Sequence, residues 1–103
     1  MRIVVLFNLR GETDRAAYEK WAKEVDAPTV NGLPSIERFT VHRCMSVFGS
    51  DASPPYQYVE IIDVKDTERF GADVSTETMK RVAAEFQAFA DNPTFIVTEP
   101  VAG

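Results

Sequence analysis

Apolar residues recur along the chain in two rhythms, and the switches between them mark its elements. Ile3 to Leu9 is an apolar run broken only by Asn8. Its length and β-branching predict a strand buried on both faces. Arg10-Gly11-Glu12 ends it, and Thr13 or Asp14 is placed to cap a helix by accepting bonds from its free N–H groups. Ala17, Tyr18, Trp21, Ala22 and Val25 then fall at helical spacing, with Glu19, Lys20, Lys23 and Glu24 on the other face. Pro28 is expected to stop this helix, because its ring pushes Ala27 out of the α region. Asn31-Gly32-Leu33-Pro34 reads as a turn. Ile36 to Phe48 alternates, with Phe39, Val41, Met45 and Val47 in one phase and Arg38, Thr40, His42, Cys44 and Ser46 in the other. That alternation predicts a strand with one packed and one more polar face. A loop over Gly49 to Pro55 leads to Tyr56–Asp66, rich in β-branched and aromatic residues, which reads as a central strand. A short helix over Asp66 to Phe70 is expected to break at Gly71. Ser75 or Thr76 caps a clearer helix with the stripe Met79, Val82, Ala83, Phe86, Phe89 and Ala90. Asn92-Pro93 ends it, and Phe95 to Glu99 is the last strand.

The order β-α-β, β-α-β predicts one α+β ferredoxin-like domain over residues 1–103, with a four-stranded antiparallel sheet and helices on one face. Two helices cover one side of such a sheet. The other side keeps apolar residues from Val4 and Leu6 or their opposite phase, a patch that a monomer seldom exposes. A homodimer follows as the expectation, two sheets packed face to face into a dimeric α/β barrel.

Composition narrows the function classes. With 103 residues, 45% hydrophobic and 26% charged, the chain suits one globular domain. A net charge of −5 argues against nucleic acid, which needs clustered Lys and Arg, and against an anionic membrane surface. No apolar run approaches the roughly 18 residues needed to span a bilayer. Cys44 is the single cysteine, so no internal disulfide forms, and a reducing cytoplasm is expected.

Candidate chemistry rests on polar residues set among apolar ones. Glu60 sits in the phase of Tyr58, Ile62 and Val64, and a buried carboxylate needs a partner or a wet cavity. It reads as a base in a cavity or as half of an ion pair with Arg38 or Arg43. His42, the only histidine, titrates near neutrality and suits general acid or base work if its phase faces a cavity; otherwise it is a surface or structural side chain. The Asn8 amide either orients a ligand carbonyl or ties a strand end to a loop. Tyr18 and Trp21, one turn apart, either wall a pocket for a flat ring or belong to the core; Tyr58 is a further candidate contact. His42 and Cys44 are too few ligands for a metal site, and the glycines form no phosphate-binding fingerprint. No cofactor is expected.

Four stretches carry a family resemblance: Ala16–Ser35 (AAYEKWAKEVDAPTVNGLPS), Pro55–Asp66 (PYQYVEIIDVKD), Phe70–Val74 (FGADV) and Ala83–Glu99 (AAEFQAFADNPTFIVTE). Together they make nearly the whole chain similar to the RedY-like (HapK) family of the dimeric α/β-barrel superfamily. The resemblance implies the dimeric ferredoxin-like fold and an association with prodigiosin-type pigment biosynthesis, a tripyrrole pathway. It supplies no catalytic residue list. Several related barrels carry a histidine near the end of the first helix, where this chain has Asp26. Two functions of different class follow. One is a cofactor-free enzyme or pathway helper of secondary metabolism acting on a small apolar or heteroaromatic, pyrrole-like compound. The other is a non-catalytic ligand-binding or chaperone-like interaction protein.

Overall fold

The computed structural model describes residues 1–103. Its centre is β1 (Arg2–Leu9), which pairs antiparallel with β3 (Tyr58–Val64) on one side and β4 (Ala90–Thr98) on the other. The fourth strand, β2 (Ile36–Arg43), pairs antiparallel with β3, so the sheet runs β2-β3-β1-β4. Four helices lie in the two crossovers: α1 (Arg15–Trp21) and α2 (Ala27–Asn31), then α3 (Thr67–Asp73) and α4 (Glu77–Phe89). This is the expected ferredoxin-like α+β arrangement.

The helices cover one sheet face. Val5 and Phe7 of β1, Tyr58 and Ile62 of β3, and Phe39 of β2 are buried there against Tyr18, Ala22 and Val30 below and Met79, Val82 and Phe86 beyond. Phe7 is the hub, with ring centroids 5.6 Å from Tyr18, 5.6 Å from Tyr58 and 5.0 Å from Phe86. The opposite face of β1 is not buried: Val4 and Leu6 are half-exposed beside Val59 and Ile61. An apolar run too short to show alternation reads the same whether one or both faces are covered.

Several local expectations change. The first helix does not stop at Pro28. A π-helical turn, Ala22–Asp26, joins α1 to α2, and Ala27 is helical at φ −62°, ψ −46°. The wider turn gives the proline ring room against the preceding carbonyl, and the N–H that proline lacks goes unmissed at the start of α2. At the end of α2, the Asn31 amide accepts from Phe39 N–H at 2.9 Å and donates to Phe39 O at 3.0 Å. That clamp fastens the helix to the free edge of β2, just past the irregularity between Ile36 and Arg38.

β2 ends at Arg43, not Phe48; Met45, Val47 and Phe48 lie exposed in the loop to β3. α3 runs through Gly71 to Asp73. β4 starts at Ala90, five residues early, with Asn92 in the left-handed region at φ 48° and a register shift opposite Leu6 and Asn8. Of the paired cap candidates, Asp14 caps α1 by accepting from Ala16 N–H at 3.0 Å, and Thr76 caps α4 by accepting from Met79 N–H at 3.2 Å.

Candidate functional site

Two carboxyls are buried between the sheet and the helices. Glu60 enters from the middle of β3, opposite Val5 of β1 and Val41 of β2. Asp26 enters from the π turn. They are 3% and 5% exposed, and both line a partly open cavity of about 180 Å³ whose other walls are apolar, among them Phe39, Phe70, Phe86 and Phe95. The Tyr18 hydroxyl donates to Glu60 Oε2 at 3.4 Å, a long bond, and Asp26 accepts no hydrogen bond from the protein. Burial pushes the Asp26 carboxyl up to about 7. Burial, then the negative charge on Asp26, push Glu60 up to about 8, against a smaller opposing effect of the Tyr18 bond. The charge on Asp26 therefore opposes ionisation of Glu60.

The π turn explains how Asp26 gets there. Tyr18, Ala22, Asp26 and Val30 are all buried, each four residues from the last. In a regular helix of 3.6 residues per turn, that spacing drifts about 40° per step. A wider turn in the middle cancels part of the drift and keeps the line facing the sheet. The sequence signal was this four-residue series with a carboxylate in it; treating Asp26 only as the stand-in for a histidine passed over it.

A separate, open cleft of about 310 Å³ is lined by Tyr18, Glu19, Lys23, Val41, Arg43 and Tyr58, with Ala22 and Ala27. Arg43 donates to Glu19 through Nε at 2.8 Å and also through Nη2, and the Tyr58 hydroxyl donates to Glu19 Oε2 at 2.7 Å. The Arg43 guanidinium and then the Tyr58 hydroxyl hold the Glu19 carboxyl well below its ordinary range. Burial and the bond to Glu19 raise the Tyr58 phenol, while burial and the Glu60 charge raise Tyr18 further. The two tyrosine rings meet edge to face at 4.8 Å and line the cleft together.

The remaining candidates lie elsewhere. His42 is exposed on the opposite sheet face, paired across the strands with Val59, and its Nε2 is 2.9 Å from Thr40 Oγ1. It shares no cavity with Glu60. Asn8 accepts from Gln57 N–H at 2.9 Å and the Gln57 amide accepts from Leu9 N–H, which ties the end of β1 to the segment entering β3. This is the strand-end role weighed for it. Trp21 donates to Glu85 Oε1 at 3.0 Å and leans on Phe89, outside the walls of both hollows. Neither Arg38 nor Arg43 pairs with Glu60. No three His, Cys, Asp or Glu side chains gather as a metal shell, and no helix is long and apolar enough to cross a membrane.

A family model described as REDY-like protein HapK matches residues 1–101. The chain belongs to the REDY-like HapK family. The crystal structure of HapK from Hahella chejuensis is 30% identical, with 100% of this chain and 96% of that one covered, at a TM-score of 0.72. Beyond the HapK family the likeness is one of fold. A protein from Arabidopsis thaliana superposes at a TM-score of 0.80 with 16% identity, over 99% of this chain and 96% of that one. SnoaB from Streptomyces nogalater, described as a cofactor-independent oxygenase, does so at 0.70 with 17% identity, over 97% and 93%. A dimeric ferredoxin-like protein of unknown function from Thermobifida fusca gives 0.68 with 14% identity, over 92% and 85%. No curated protein matches the chain.

Proposed function

We propose that the protein binds a small apolar, heteroaromatic compound between sheet and helices and acts on it by acid–base chemistry without a bound cofactor. The observation that carries this reading is the pair of buried carboxyls, Glu60 and Asp26, in a cavity otherwise walled by apolar side chains. A pair that keeps one proton near neutral pH offers a donor and an acceptor in one cavity, as proton transfer to and from a substrate requires. Tyr18 orients Glu60. The cavity has room for one ring, and the separate cleft lined by Tyr18 for another. Membership in the HapK family points to an accessory or enzymatic role in secondary metabolism, with a pyrrole-like ligand of prodigiosin-type biosynthesis as the specific expectation, in the cytoplasm. The fold-level likeness to an oxygenase described as cofactor-independent agrees with chemistry carried by side chains alone.

The working unit in this reading is a homodimer. Val4, Leu6, Val59, Ile61 and Ile96 share the uncovered sheet face, a patch suited to a second copy, and the Thermobifida fusca neighbour is described as dimeric. Light scattering at micromolar concentration should give twice 11.5 kDa; a particle of 11.5 kDa removes the dimer.

Thermal shift with pyrrole and bipyrrole aldehydes tests the ligand. A compound that binds the folded state raises stability by about 2.7 kcal/mol at a hundredfold excess over its Kd. No stabilisation at millimolar ligand rules out this compound class. In a reconstituted pathway, Glu60→Gln should bind the same ligand but lose turnover; full turnover by that variant would leave the cavity a binding site without acid–base chemistry.

A further inference from the structure

We propose that the cavity of Asp26 and Glu60 selects ligands that carry a positively charged, N–H-donating nitrogen (a protonated amine, an amidine or a ring iminium) over neutral or acidic molecules of the same shape. This rests on the reading of the cavity as a ligand site and adds the ligand's charge to it.

Buried charges in proteins are paired or bound to a ligand. Here two carboxyls face one cavity, and no Lys, Arg or His lines it. Asp26 is 5% exposed and receives no hydrogen bond from the protein; Glu60 is 3% exposed and receives one long bond from Tyr18. Apart from Tyr18 on α1, the elements around the pair present apolar side chains, such as Phe39 from β2, Phe70 from α3, Phe86 from α4 and Phe95 from β4. Arg43 and Lys23 line the separate cleft, where Arg43 is held by Glu19.

A ligand that brings two N–H donors and a positive charge therefore supplies what the fold leaves out. It ionises the carboxyls as it binds, so its binding releases protons. A neutral isostere brings donors without charge, and an acid brings a third negative group. The cavity of about 180 Å³ suits a single substituted ring, since an apolar cavity of about 150 Å³ takes benzene. Phe95, one of its walls, is half-exposed on the edge strand β4.

Benzamidine, benzamide and benzoate share one ring and nearly one shape, and differ in charge. Titration calorimetry of each against the wild type, Asp26→Asn and Glu60→Gln tests the proposal. In the wild type, benzamidine should bind about ten- to a hundredfold more tightly than benzamide, the range of a charge-assisted hydrogen bond, and benzoate should not bind. Buffers of different ionisation heat should report protons released with benzamidine. Each amide variant should narrow that preference, since one carboxyl remains, and the double variant Asp26→Asn/Glu60→Gln should abolish it. Equal affinity for benzamidine and benzamide in the wild type overturns the charge selection and leaves the cavity as a ligand site. A preference that survives undiminished in the double variant also overturns it, because the cation then sits elsewhere on a chain of net charge −5. No binding by any of the three overturns the cavity reading with it. Should either variant fail to fold, the wild-type comparison decides alone.

Discussion

Replacing Glu60 by Gln should stabilise the protein, and by an amount that depends on pH. The glutamate is 3% exposed, and its carboxyl is raised from 4.5 to about 8, first by burial and then by Asp26. An acid raised on folding holds its proton in the folded state while the unfolded chain has already released it. Folding stability then falls as pH rises from about 4.5, and stops falling above about 8. Each pH step in that window costs about 1.4 kcal/mol. At pH 7, about two and a half steps above the unfolded value, the wild type carries a penalty of about 3 kcal/mol. The side-chain amide of the Glu60→Gln variant cannot ionise, keeps the acceptor for Tyr18 and fills nearly the same volume. Urea unfolding followed by Trp21 fluorescence, from pH 4 to pH 9, should show wild type and variant equal at the acid end. Their midpoints should separate steadily to pH 8, by roughly 1–3 M at pH 7 for a urea slope of about 1–3 kcal/mol/M. A separation that does not change with pH refutes the reasoning, as does a variant less stable than wild type at pH 8. About 3 kcal/mol is a large part of the 5–15 kcal/mol that holds a domain together. A residue kept at that cost is better explained by a site than by a scaffold.

Other expectations follow from the same geometry. Asp26→Asn should also gain stability with rising pH, over a lower window that ends near 7, where that carboxyl titrates when folded; a flat difference in the same urea series would count against its burial. Phe7→Ala should cost about 3–5 kcal/mol, because it opens a hole among Tyr18, Tyr58 and Phe86, and a loss below about 1 kcal/mol by thermal unfolding would show that the hub packs otherwise. His42→Ala should change stability by no more than about 0.5 kcal/mol and leave binding of any cavity ligand unchanged, since His42 lies on the opposite face of the sheet. A tenfold loss of affinity would place the site on that other face.

The fold was legible because its signals are local and repeated. Alternation in β2, the capped apolar stripe of α4 and the β-branched run of β3 each name an element, and their order leaves few topologies. The site was half legible. Glu60 stood out as a carboxylate in a buried strand, and Tyr18 as an aromatic on a helix facing it. Which sheet face each strand residue takes is a non-local fact, since a slip of one residue reverses every side chain. So Glu60 and His42 both stood as candidates until the pairing of Val41 with Glu60 and of His42 with Val59 set them on opposite sides. Asp26 was hidden by a different cause. A proline two residues later argues for a helix end, and nothing short-range announces the π turn that carries the helix past it and turns Asp26 inward.

The central claim is that Glu60 and Asp26 share one buried, ligand-binding cavity. Carbon-13 NMR titration of their side-chain carboxyls, with and without benzamidine, tests it most directly. Without ligand both signals should titrate well above the ordinary carboxylate range, and ligand should drive both to the ionised form at neutral pH. Two independent titrations within the ordinary carboxylate range, unmoved by ligand, would contradict it.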